Sequence, residues 1–308
     1  MTSTSSAPAI RTERLTKWYG PARGISDLDL TVAEGEVFGF LGPNGAGKTT
    51  TIRLLLDLIR PTAGHAWIFG QEVQAASVAV RRGVGYLPGE LALWPGLTGK
   101  QTLAYLGNLR GGVDAAFVTD LAVRLGLDLS KKFRDYSRGN KQKVGLIQAF
   151  MHRPRLLILD EPTSGLDPLN QQEFYRMLAE ARAGGATVFL SSHILSEVEH
   201  SSDRVGIVRA GQLVRVATIA DVVAEKRQQI ALTLSAPPDP AALTALRAVP
   251  GVSNVAAEGS AIQFAVQGDL AGAIRWAGSQ PLLTLTSHEP TLEEAFLDYY
   301  REPEPATA

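Results

Sequence analysis

The chain has 308 residues, a formal net charge of −1 and no cysteine, with 45% hydrophobic and 20% charged residues. That length suits one large domain beside a small one, and the even charge balance argues against general nucleic-acid binding, which shows a basic excess. The lack of thiols excludes disulfides, thiolate chemistry and Cys-ligated zinc, as fits a reducing cytoplasm. The polar start MTSTSSAPAI lacks the cationic and apolar regions of a secretory signal, so residues 1–8 are expected to be a disordered lead-in. Residues 10–16 and 25–32 alternate as strands. EVFGFLGPNGAGKTTTIRLLLDLI then gives an apolar strand over Val37–Leu41, a glycine-rich turn and a helix that Pro61 ends. HAWIFG is a further short strand. From about Leu91 to Tyr136 the pattern is helical, with Leu103, Leu106 and Leu109 at period three, and helical spacing resumes over Val144 to Met151.

LLILD (156–160) and ATVFLSSH (186–193) are apolar runs ending in polar residues, the mark of buried parallel strands. GIVRAGQLVR (206–215) reads as a hairpin. Strands alternating with helices mean an α/β fold with a mostly parallel sheet. Past about residue 225 the order becomes βαββαβ with a closing helix in TLEEAFLDYY, capped by Thr291 with Glu294. That order predicts a small α+β, ferredoxin-like domain. No run approaches the ~18 apolar residues of a membrane helix, so the chain is not expected to cross a bilayer by itself.

GPNGAGKT (42–49) fits G-x-x-x-x-G-K-[ST]. Gly45 and Gly47 would let the run Gly42, Pro43, Asn44, Gly45, Ala46 and Gly47 curl around the phosphates, with the N–H groups of its residues other than Pro43 pointing inward on phosphate oxygens, in front of a helix N-terminus. Lys48 would reach the β- and γ-phosphates, Thr49 would offer its hydroxyl to Mg²⁺, and Thr50 is placed to bond the α-phosphate. Asp160 ends an apolar strand, where open α/β sheets put their ligands, and can hold Mg²⁺ through water. Glu161 follows as the candidate general base. A third segment, YSRGNKQK (136–143), carries donors and cations. From Lys131 to Lys143 six cations stand against Asp135 alone, as in half of an anion site. Lys131, Lys132 and Arg134 are expected on a solvated helix face.

Over residues 9–220 these features resemble the ATP-binding subunits of ABC transporters. The resemblance implies a P-loop cassette over residues 9–225, with a helical subdomain at about 91–150, and an accessory domain over 226–308. Tyr136, Ser137, Arg138, Gly139 and Asn140 fall on the family's signature, which binds the γ-phosphate of ATP held by the opposite subunit. The implied cofactors are ATP and Mg²⁺. The implied partners are a second copy of the chain and a separate membrane permease, met near Leu91–Thr98 on the cytoplasmic face. Tyr19 falls where an aromatic stacks on adenine, Asp167 ends the loop that crosses to the partner, and His193 matches the switch histidine at the γ-phosphate. Two positions depart from the pattern. Arg138 replaces a glycine and either points away or adds a cation. Gly89 stands where a glutamine senses Mg²⁺, and Glu90 is expected to take that role. The added C-terminal domain resembles the branch that exports antibiotics, drugs or lipids. The alternative is a soluble family member acting in translation or on DNA, which usually carries paired cassettes or inserted modules. A scarcely hydrolysing regulatory subunit is opposed by Glu161, Asp167 and His193.

Overall fold

A computed structural model describes residues 7–224 and 227–288. The chain divides into two compact units, Met1–Ala217 and Thr218–Ala308. The first contains β1 (Ile10–Tyr19), β2 (Ala22–Val32), β3 (Val37–Leu41), α1 (Lys48–Leu55), β4 (Ala63–Ile68), β5 (Gln71–Glu72), α2 (Ser77–Arg82) and β6 (Val84–Leu87). There follow α3 (Gly99–Leu109), α4 (Ala115–Arg124), α5 (Arg138–Phe150), β7 (Leu156–Asp160), α6 (Pro168–Ala183), β8 (Thr187–Ser192), α7 (Leu195–Ser201), β9 (Arg204–Arg209) and β10 (Gln212–Thr218).

Two sheets share this unit. The first, in the order β2-β1-β4-β5, is antiparallel. The second has the order β10-β9-β3-β8-β7-β6, and its strands β9, β3, β8, β7 and β6 run parallel. Every residue of β3 and β7 is buried, as a strand covered on both faces requires. Phe38 and Phe40 of β3 meet Phe189 of β8 at ring-centroid distances of 5.9 and 5.3 Å. Because β3, β8 and β7 are neighbours with one direction, their C-terminal ends open together, and the loops that follow them share one edge.

The expected helix from Leu91 does not form. Residues 91–97 are a loop, because Pro95 and Gly96 break the helical period. The first helix starts after Thr98, whose hydroxyl accepts from the Gln101 N–H while the Gln101 side chain accepts from the Thr98 N–H. Lys131, Lys132 and Arg134 are exposed as expected, but on a loop and a short 3-10 turn rather than a helix face.

The second unit contains α8 (Ile219–Ala224), β11 (Arg227–Leu234), α9 (Pro240–Arg247), β12 (Val252–Glu258), β13 (Ala261–Gln267), α10 (Ala271–Gly278) and β14 (Leu282–His288). Its antiparallel sheet has the order β12-β13-β11-β14, which is the ferredoxin-like arrangement predicted from the sequence. Ile230, Leu232, Ile262, Phe264 and Val266 alternate toward one face and bury against Trp276. The Trp276 indole N–H donates to the Ala242 carbonyl at 2.9 Å, which ties α10 to α9. The closing helix expected in TLEEAFLDYY, with Thr291 and Glu294, lies outside the described residues. Among the described residues no helix is long and apolar enough to cross a membrane.

Candidate nucleotide site

The loop leaving β3 is shaped by its glycines. Gly45 and Gly47 have φ of +80° and +106°, a region open to glycine at little cost. A side chain at Gly47 would stand 2.6 Å from Ile25 Cγ2, and one at Gly42 would stand 2.3 Å from the Val208 carbonyl oxygen. Helix α1 then starts with no side-chain cap and no acid in its first turn, so its N–H groups are left to an external anion.

Beneath this loop the polar groups are tightly paired. The buried Lys48 donates to the Gly42 carbonyl at 2.6 Å and lies 3.3 Å from Glu161 Oε1. Thr49 donates its hydroxyl to Asp160 Oδ2 at 2.8 Å, and Ser191 donates to Oδ1 at 2.5 Å. Asp160 is 1% exposed, so both oxygens of a buried carboxylate are satisfied. Burial, reinforced by the Asp160 charge and opposed by Arg53, pushes the neighbouring Tyr86 phenol up to about 12. His193 Nδ1 lies 2.7 Å from Glu161 Oε2, so Glu161 stands between a histidine and a lysine.

A cavity of about 300 Å³ is lined by Tyr19, Arg23, Gly24, Pro43, Asn44, Gly45, Gly47, Lys48, Thr49, Thr50 and Glu161. That volume lies at the lower end of the range for small-ligand sites. Ser191, Arg23 and Gly24 went unremarked in the sequence. Ser191 carries a faint signal as the first of the three polar residues that end ATVFLSSH; the other two carry none.

The remaining candidates do not line this cavity. Ser137 caps α5 and accepts from the Asn140 N–H at 3.3 Å. A side chain at Gly139 would meet the Gly165 carbonyl oxygen at 2.6 Å. The Arg138 guanidinium donates to Ser164 Oγ at 2.8 Å, which settles its direction in this structure: toward the SGLD loop of its own chain. Asp167 caps α6, and the Asn170 backbone and side-chain N–H groups, followed by the Lys143 charge, hold its carboxyl below the usual range. Of the cations of 131–143, Arg134 lies 3.6 Å from Asp135, and the buried Lys143 adds its charge to the hydrogen bonds that hold the Asp167 carboxyl down. Glu90 is exposed and makes no hydrogen bond or ion pair among the described residues. Gly89 is the neighbour of Asp160, since a Cβ there would lie 3.2 Å from Oδ2. Among the described residues no three acidic or histidine groups gather to hold a metal unaided.

The ABC transporter family model matches residues 25–164. The bacitracin transport ATP-binding protein BcrA of Enterococcus faecalis is 39% identical over 222 residues, covering 71% of this chain and 72% of that one. The linearmycin resistance ATP-binding protein LnrL of Bacillus subtilis (strain 168) is 30% identical over 305 residues, covering 94% of this chain and 97% of its own length. The chain belongs to the ATP-binding subunits of ABC transporters. A solved ATP-binding subunit of an ABC transporter superposes with a TM-score of 0.64 at 31% identity, over 70% of this chain and 91% of that one. As an ABC ATP-binding subunit the chain binds and hydrolyses ATP, and such subunits dimerise and work with membrane permeases.

Proposed function

We propose that this chain drives export of antibiotics or other drugs through a separate permease at the cytoplasmic face of the membrane, as one of two identical cassettes closing on two ATP·Mg²⁺. In this reading residues 9–225 are the cassette and 226–308 an accessory domain. Tyr19 stacks on adenine and residues 42–50 hold the phosphates. Thr49 and Asp160 hold Mg²⁺ with the phosphates and water, as a cation that keeps part of its hydration shell requires. Glu161 takes the proton of the attacking water, and His193 steadies that water at the γ-phosphate.

One observation carries the pairing: Ser137, Gly139 and Asn140 belong to the same chain as the cradle but line none of its cavity. Their donors serve a nucleotide held by a second copy. ATPase activity measured against protein concentration tests this. Activity should rise more than linearly and collapse in Ser137→Ala. A linear dependence indifferent to Ser137 would refute the paired site. The drug cargo follows the names of the bacitracin and linearmycin relatives. A strain lacking the gene should become sensitive to such compounds and be restored by the wild type but not by Glu161→Gln.

A further inference from the structure

We propose that Gln142 is a positioning residue that aims the Glu161 carboxylate from the signature helix of the same chain. The proposal rests on the reading of Glu161 as general base. Helix α5 turns Arg138, Gly139 and Gln142 toward one neighbour, the segment that follows β7, at the spacing that puts residues one turn apart on one face. Gln142 is 7% exposed, and its Nε2 donates to the carbonyls of Glu161 at 3.1 Å and Pro162 at 3.0 Å. Both partners are acceptors only, so the amide must present its NH₂ there, and both N–H groups are used.

Glu161 needs such a hold. Its φ is +52°, a left-handed conformation that a residue with a side chain keeps only when its surroundings fix it. Its N–H donates to the Ser191 carbonyl at 3.2 Å, and its carbonyl accepts from the Ser164 N–H at 3.2 Å. Gln142 adds the restraint that comes from the helix carrying Ser137. Losing it frees the Glu161 peptide to relax, and the carboxylate then leaves its place between Lys48 and His193. Gln142 lines none of the nucleotide cavity, so it acts on the base and not on ATP binding. The arrangement also couples the two half-sites: a shift of α5 that moves Ser137 toward the partner's nucleotide is transmitted to the base of its own chain.

The test uses the full chain with Gln142→Met, which keeps the volume without donors, and Gln142→Glu, which keeps the shape with acceptors. Steady-state ATPase is measured against ATP concentration at fixed protein, beside melting and binding of a fluorescent ATP analogue, with Glu161→Gln as reference. The expected result is a kcat about ten- to a hundredfold lower, the cost of a slightly misplaced catalytic group, with KM and analogue binding unchanged. Adding Gln142→Met to Glu161→Gln should lower kcat no further, because the two act as a unit. An unchanged kcat in the Gln142 variants beside an inactive Glu161→Gln overturns the proposal. So does a loss shared by kcat, KM and melting, which would mark a structural role. Full turnover in Glu161→Gln instead overturns the base reading, and the proposal with it. If Gln142→Met does not fold, the Gln142→Glu comparison decides.

Discussion

Gly24 has no side chain because Tyr19 occupies the space one would need. A Cβ there would lie 2.9 Å from Tyr19 Cε2, 3.0 Å from the Lys17 carbonyl oxygen and 3.2 Å from Thr50 Cγ2. The Tyr19 ring is 45% exposed, with the Lys17 ammonium 5.4 Å from its centroid, so little else holds it at the cavity. Gly24→Val is therefore expected to push the ring aside and raise KM for ATP several-fold with kcat nearly constant, the pattern of lost uniform binding. Titration with a fluorescent ATP analogue checks this, and an unaltered affinity would mean that Tyr19 does not stack on adenine. The residue scale is also where the limits of the sequence are plainest. The cradle was legible because GPNGAGKT packs its chemistry into one contiguous run with fixed spacing. Gly24, Ser191 and Gln142 reach the site from other elements, and only the tertiary fold brings them there.

Helix α4 is fastened to α6 by one arginine. Arg124 donates through Nε to Glu173 at 2.6 Å and through its two Nη atoms to the Glu180 carboxylate at 2.8 and 2.9 Å, a bidentate fork. Glu180 is 59% exposed, so solvent screens that half of the clamp. The Glu173 side chain is only 10% exposed, but it keeps Arg176 at 2.8 Å when Arg124 is removed. The loss in Arg124→Ala should then be about 1–2 kcal/mol, the scale of a hydrogen bond to a charged group and not of an orphaned buried ion. Thermal melting should show a drop of a few degrees. Arg124→Lys should recover only part of it, since a point charge cannot reproduce the fork. An unchanged melting temperature would reduce the clamp to an idle surface pair. At this scale the parallel strands β3, β7 and β8 were legible as apolar runs. Helix α6 was not, because Phe174, Met177 and Leu178 are its few inward residues in an otherwise polar sequence. The loop at 91–97 is not legible as a loop, because Leu93 and Leu97 keep helical spacing across the Pro95-Gly96 break.

Across the whole cassette unit, the loop after β6 links nucleotide to surface. Gly89 lies against Asp160, and Leu87 and Leu91 close on Gly145 of α5, where a Cβ would meet them at 2.5 and 3.1 Å. Trp94 then stands 43% exposed, edge-on to Tyr105 at 4.9 Å, with Leu109 68% exposed further along α3. Large aromatics left in water beside a loop that touches both the candidate magnesium carboxylate and the signature helix are suited to receive a permease helix. An anchor of this kind is worth about 2 kcal/mol or more, at least ~tenfold in affinity. Trp94 touches no part of the nucleotide cavity, so Trp94→Ala should leave the ATPase of the free chain unchanged. In proteoliposomes containing the permease, the same variant should lose most of the stimulation by the membrane partner, and higher protein concentration should restore part of it by mass action. Full stimulation at limiting protein would move the docking surface elsewhere. A fall in the basal rate as well would show that the loop serves the nucleotide directly, through Gly89 and Asp160, and not the permease alone.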